Sequence, residues 1–131
     1  MRKQCEILII DDEEDLCWVL ENGLRSEECG VTSFKDGKEA LICLSERFFD
    51  VVIIDAKLPD LDGMTLASMI RNQSPHTTII MISGFYYPED RMIVEGIEKK
   101  LFNFFLAKPF DLKEIRVLAH QAVDWSREMN S

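Results

Sequence analysis

The stretch ILIIDDEED, Ile7 to Asp15, runs from four apolar residues straight into five consecutive acids. An unbroken aliphatic run is the pattern of a strand covered on both faces, because a strand with one wet face alternates apolar and polar residues. In an open α/β sheet, sites form beyond the carboxyl ends of the strands, which is where Asp11 and Asp12 fall. Taken singly, these two acids are read equally well as caps of the following helix. Glu13, Glu14 and Asp15 are read as first-turn acids favoured by the helix dipole.

The pattern recurs along the chain. Apolar runs lie at 5–10, 31–34, 51–54, 77–83 and 104–107. Helical spacing links Leu16, Val19, Leu20 and Leu24, then Leu41, Leu44 and Phe48, then Ala67 and Ile70, then Ile93 and Ile97. A last set is Leu112, Ile115, Ala119 and Ala122. Each set puts its apolar residues on one helix face. Gly30 is read as following the first helix, Asp36-Gly37 as opening the second, and Pro59 with Asp62-Gly63 as separating the third strand from its helix. Asn72 to Pro75 end the third helix, Pro88 to Asp90 start the fourth, and Asp111 caps the fifth. Strand and helix thus alternate five times, which predicts a parallel sheet with helices on both faces. One domain over 1–131 is expected, with its core at about 4–124 and a tail at 125–131. In that tail Trp125 and Met129 cover apolar surface or mark a partner contact.

The other strand ends carry polar residues too: Asp55, Ser83 and Lys108. Each alone has an ordinary reading as a turn or loop residue. Together with Asp11 and Asp12 they form a constellation in which three carboxylates repel one another and need neutralising. A hard divalent cation with oxygen ligands fits, and Lys108 adds a flexible positive charge.

Composition narrows the function. With 24 acids against 15 lysines and arginines the net charge is −9, which argues against nucleic-acid binding by this chain. No apolar run approaches the roughly 20 residues of a membrane span, and the chain reads as cytoplasmic. The four cysteines are widely spaced, without C-x-x-C, and are expected as reduced structural thiols. A nucleotide-binding Rossmann reading fails because no G-x-G-x-x-G follows the first strand.

Four motifs together resemble the receiver domain of two-component response regulators: IIDDE (9–13), VVIIDAKLPDLDG (51–63), IIMISG (79–84) and FFLAKPF (104–110). The resemblance covers essentially the whole chain. It implies a (βα)5 doubly wound, flavodoxin-like fold with strand order 2-1-3-4-5. It also implies that Asp55 accepts a phosphoryl group from the phosphohistidine of a sensor histidine kinase or phosphotransfer protein. Mg²⁺, or Mn²⁺, would be held by Asp12, Asp55 and the backbone carbonyl of Lys57, with Asp11 acting through water. Lys108 and Ser83 would stabilise the phosphoryl group, the Lys108-Pro109 peptide would be cis, and Ser83 with Phe105 would form the switch. Lys57 and Phe85 would tune the lifetime of the phosphoryl group, with a bulky Phe85 excluding water. The signal would leave through the helix 4–strand 5–helix 5 face to a downstream protein or output domain, or through a homodimer.

The segment GIEKKLFNFF, 96–105, departs from the family pattern, either as a helix longer by one turn or as an altered partner face. Two other readings remain. One is an interaction module that is never phosphorylated. The other is a Mg²⁺-dependent phosphatase, disfavoured because Lys57 stands where a D-x-D motif needs an acid. A stand-alone receiver and an excised one are equally compatible with the residues.

Overall fold

The computed structural model describes residues 4–130, and side chains to Glu128. Met129, one of the two tail residues singled out above, is not among the described side chains. Five strands alternate with five helices. The strands are β1 (Cys5–Ile10), β2 (Cys29–Phe34), β3 (Val51–Asp55), β4 (Thr78–Ser83) and β5 (Phe104–Ala107). The helices are α1 (Glu14–Leu24), α2 (Gly37–Glu46), α3 (Gly63–Gln73), α4 (Arg91–Glu98) and α5 (Leu112–Asn130). All pairings are parallel, in the order β2-β1-β3-β4-β5. This is the doubly wound order expected above, and it makes β1, β3 and β4 central.

Side-chain alternation divides the core between the two faces of the sheet. Leu8, Ile10, Val52, Ile54, Ile79 and Met81 pack with α2, α3 and α4 residues such as Ala40, Leu66 and Ile93. Ile7, Ile9, Val51, Ile53, Ile80 and Ile82 pack on the other face with Leu20 of α1 and Ile115 and Ala122 of α5. β3 and β4 are buried along their whole length, and β1 everywhere except at Glu6, as their continuous apolar runs require.

Several local expectations change. On α1 the inward residues are Cys17 and Leu20, while Val19 faces out. The expected face Leu16, Val19, Leu20 and Leu24 leaves out Cys17, whose small apolar side chain takes the inward place at one residue's shift. Phe48 lies beyond the end of α2 and is exposed, whereas Phe49 fills the core. Gly30 belongs to β2 rather than to the end of α1, which stops at Leu24.

Cys5 and Cys29 are disulfide-bonded, and only Cys17 and Cys43 are free. This overturns the expectation of four reduced thiols. The two residues are register partners across the β1–β2 ladder, a closeness that only strand pairing creates.

The 96–105 segment is not a lengthened helix. After Lys99 the chain turns through Lys100, at φ 59°, and the helix is closed by Lys100 N–H donating to Ile97 O at 3.0 Å and Leu101 N–H donating to Gly96 O at 2.8 Å. That is a Schellman stop, in which glycine is the usual occupant of the left-handed position. Phe102 then folds back against Gly96, where a Cβ would meet its ring at 2.3 Å. Lys100→Gly is expected to raise stability by up to about 1 kcal/mol, read as a higher denaturant midpoint with an unchanged slope.

Candidate phosphoryl and metal site

The alternation of the fold brings the carboxyl ends of β1, β3, β4 and β5 to one rim of the sheet. There the carboxylate oxygens of Asp11, Asp12 and Asp55 lie within 4.8 Å of one another. Asp11 and Asp55 are buried and Asp12 is exposed, so the cluster is lined by protein on one side and open to solvent on the other.

Lys108 reaches this cluster from the end of β5. Its Nζ donates to Asp11 Oδ2 at 2.9 Å, to Glu13 Oε1 at 2.7 Å and to Asp55 Oδ2 at 3.4 Å. The Lys108-Pro109 peptide is cis. Main-chain donors add to the network: Glu13 N–H donates to Asp11 Oδ1 and Lys57 N–H to Asp55 Oδ1. Behind Asp55, Gly63 starts α3 with its N–H bonded to Ala56 O. A Cβ there would meet Asp55 O at 2.5 Å, so α3 abuts the strand end as closely as backbone allows.

The electrostatics follow from burial. Desolvation pushes the Asp11 carboxyl above its ordinary value, and neither the Glu13 N–H nor Lys108 outweighs it. Desolvation raises Asp55 as well, helped by the charge on Asp12 and opposed by Lys108 and the Lys57 N–H. Burial also opposes the Lys108 charge, but the carboxylates of Glu13, Asp11 and Asp55 outweigh it and hold the ammonium above its usual range. One lysine therefore faces more negative charge than it neutralises. The donors are hard carboxylate oxygens, the chemistry that Mg²⁺ or Mn²⁺ prefers.

The remaining candidates surround the cluster. Ser83 Oγ is buried and accepts the N–H groups of Phe85 and Tyr86, each at 2.9 Å, which leaves its own hydrogen to be donated. Phe85 is exposed, and the Lys57 ammonium sits 3.6 Å from its ring centroid. Phe105 is half-buried against the α2–α4 side of the core. Glu13, read above as a dipole acid, instead turns its side chain to Lys108. Periodicity could not reveal this, because the partner is 95 residues away. Asp60 was also missed: its carboxylate accepts from Gly37 and Lys38 N–H, tying the β3–α3 loop to the start of α2.

The model of the response regulator receiver domain matches residues 7–120. The chain belongs to the response regulator receiver domain family. Among relatives of this receiver, NtrC of Salmonella typhimurium is 28% identical over 122 residues, 93% of this chain and 25% of that protein. PrrA of Mycobacterium tuberculosis is 32% identical over 109 residues, 83% of this chain and 46% of that protein. The receiver thus spans about a quarter to a half of the length of these two proteins. The signal receiver domain of an HD domain-containing protein from Pseudomonas fluorescens Pf-5 superposes with a TM-score of 0.86 at 30% identity, covering 99% of this chain and 94% of that one. A CheY-like receiver from Methanospirillum hungatei JF-1, at 20% identity and TM-score 0.87, shares the fold. Receiver domains act in phosphorylation-based signalling and bind Mg²⁺ at an acidic pocket, and this receiver has such a pocket in Asp11, Asp12 and Asp55. Among the described residues, no helix is long and apolar enough to cross a membrane.

Proposed function

We propose that this chain is a phosphorylation switch, one domain over 1–131, in which Asp55 accepts a phosphoryl group from the phosphohistidine of a sensor kinase or phosphotransfer protein. One observation carries the reading: Asp55 Oδ2 lies 3.4 Å from Lys108 Nζ, inside a cluster with two further carboxylates. A carboxylate is a competent phosphoryl acceptor, and the transfer depends on positioning and charge stabilisation.

Asp12, Asp55 and the carbonyl of Lys57 would hold the metal, with Asp11 contributing through water. When bound, Mg²⁺ supplies positive charge against the transferring oxygens. Asp55 attacks phosphorus, the bond to the donor nitrogen breaks, and an acyl phosphate remains on Asp55. Lys108 leaves its carboxylates to pair with a phosphoryl oxygen, and Ser83 turns its free O–H to another. As Ser83 moves, Phe105 takes the vacated space by packing, since it has no hydroxyl. The change spreads to α4, β5 and α5, where Met92, Val94, Ile97 and Val117 already present exposed apolar groups. That face would meet a downstream protein, an output domain or a second copy.

The test is incubation with Mg²⁺ and phosphoramidate, followed by intact mass and sedimentation. Gain of one phosphoryl mass supports the switch, and a larger sedimenting species supports a homodimer. No gain favours an unphosphorylated interaction module. Steady phosphate release from unrelated esters favours a phosphatase.

Lys57 and Phe85 would cover the acyl phosphate and slow attack by water. Phe85→Ala removes the ring and is expected to shorten the phosphoryl lifetime by about two- to fivefold, the range of an exposed cation–π contact. Decay of the phosphorylated mass after donor removal measures it, and an unchanged lifetime ends this role for Phe85.

A further inference from the structure

Glu13 occupies the N-cap position of α1, yet its side chain makes no cap hydrogen bond. A carboxylate there could satisfy orphan N–H groups of the first turn, which is the ordinary use of an acid at that place. Instead it reaches Lys108 Nζ at 2.7 Å, closer than either Asp11 at 2.9 Å or Asp55 at 3.4 Å. The Lys108 side chain is 14% exposed and that of Glu13 60% exposed, so Glu13 closes over the lysine from the solvent side. Asp11 holds the same ammonium from below, and its Oδ1 accepts the Glu13 N–H.

We infer that Glu13 is a positioning residue that latches Lys108 in the unphosphorylated state. It draws the ammonium outward, away from Asp55, and must release it before Lys108 can pair with a phosphoryl oxygen. The inference rests on Asp55 being the acceptor. Breaking the Glu13 pair is then one component of the barrier to phosphorylation, and its removal makes transfer faster. A merely structural acid would leave the rate alone, and a residue that aims Lys108 productively would slow transfer when lost.

The experiment compares wild type with Glu13→Ala and Glu13→Gln, following phosphorylated mass against time with phosphoramidate and Mg²⁺. Glu13→Ala is expected to be phosphorylated about two- to fivefold faster, the range for a solvent-facing ion pair. Glu13→Gln, which keeps an acceptor but loses the charge, falls between. Both variants should unfold only slightly below the wild-type midpoint, because the solvent-facing pair is lost but no cap bond is.

A second readout needs neither metal nor donor. In ¹⁵N-lysine spectra of the metal-free protein, the Lys108 ammonium is slow to exchange in wild type and broadens in Glu13→Ala. An unchanged or slower rate in Glu13→Ala, or an unchanged ammonium signal, overturns the latch while leaving Asp55 as acceptor. If wild type itself gains no phosphoryl mass, the acceptor reading fails, and the latch falls with it.

Discussion

Asp55→Asn protein treated with Mg²⁺ and phosphoramidate keeps its starting mass, while wild type gains one phosphoryl group. The substitution keeps an oxygen to accept the Lys57 N–H but removes the nucleophilic carboxylate, so the expected loss is complete. The same change should stabilise the metal-free fold. Burial raises the Asp55 carboxyl above its unfolded value, so the folded state binds a proton more readily than the unfolded one. That contribution is fully present below the unfolded pKa and is lost as pH rises through the folded one. At neutral pH the ionised group therefore weighs against folding, and its replacement by an amide relieves it. The midpoint of Asp55→Asn should exceed that of wild type at pH 7, and the gap should narrow on acidification. Mg²⁺ acts on the same repulsion. At tenfold over its dissociation constant it should add about 1.4 kcal/mol to wild-type stability, and distinctly less to Asp55→Asn. Wild-type phosphorylation that survives in Asp55→Asn would move the acceptor elsewhere.

Lys108→Met has the opposite effect on the fold. The lysine is 14% exposed and faces Asp11, whose side chain is fully buried. Removing it strands buried carboxylates that have no other cationic partner among the described residues. Breaking a buried pair costs several kcal/mol, and with one partner slightly solvated the loss should be about 2–4 kcal/mol in metal-free protein. The carboxylates that surround Lys108 raise its pKa, so its stabilising charge is present at every pH below its unfolded value and is lost only in strong alkali. The defect of Lys108→Met therefore persists across neutral pH. It should shrink at acid pH, where Asp11 takes up a proton, and it should shrink with added Mg²⁺. Phosphoryl transfer should also slow, roughly 10²-fold, as for the loss of one preorganised positive group. Equal stability of variant and wild type without metal would contradict the electrostatics described for this cluster.

Much of this was legible in the residues. The alternating runs gave the strand and helix order because burial on both faces leaves a continuous apolar signature, and the polar residues that interrupt it fall at the strand ends. The placement of Asp11, Asp12, Asp55, Ser83 and Lys108 at the strand ends was legible for that reason. What escaped was long-range. The Cys5–Cys29 bridge exists because β1 and β2 align those residues, and nothing in the intervening 24-residue separation announces it. Glu13 looked like its neighbours Glu14 and Asp15 until β5 brought Lys108 to it. Phe49 and Phe48 are adjacent phenylalanines, and only the end of α2 decides which enters the core. Lys100 carries a backbone conformation that its own chemistry does not advertise.

Trp125 stands edge-on to Phe104, with ring centroids 5.6 Å apart. The only other indole, Trp18, is 66% exposed on α1. Phe104 adjoins Phe105 in the same short strand, so any shift of that strand alters the surroundings of one chromophore. A Trp18→Phe background leaves Trp125 as the single tryptophan, and its fluorescence, excited apart from that of the two tyrosines, can be followed without attaching a dye.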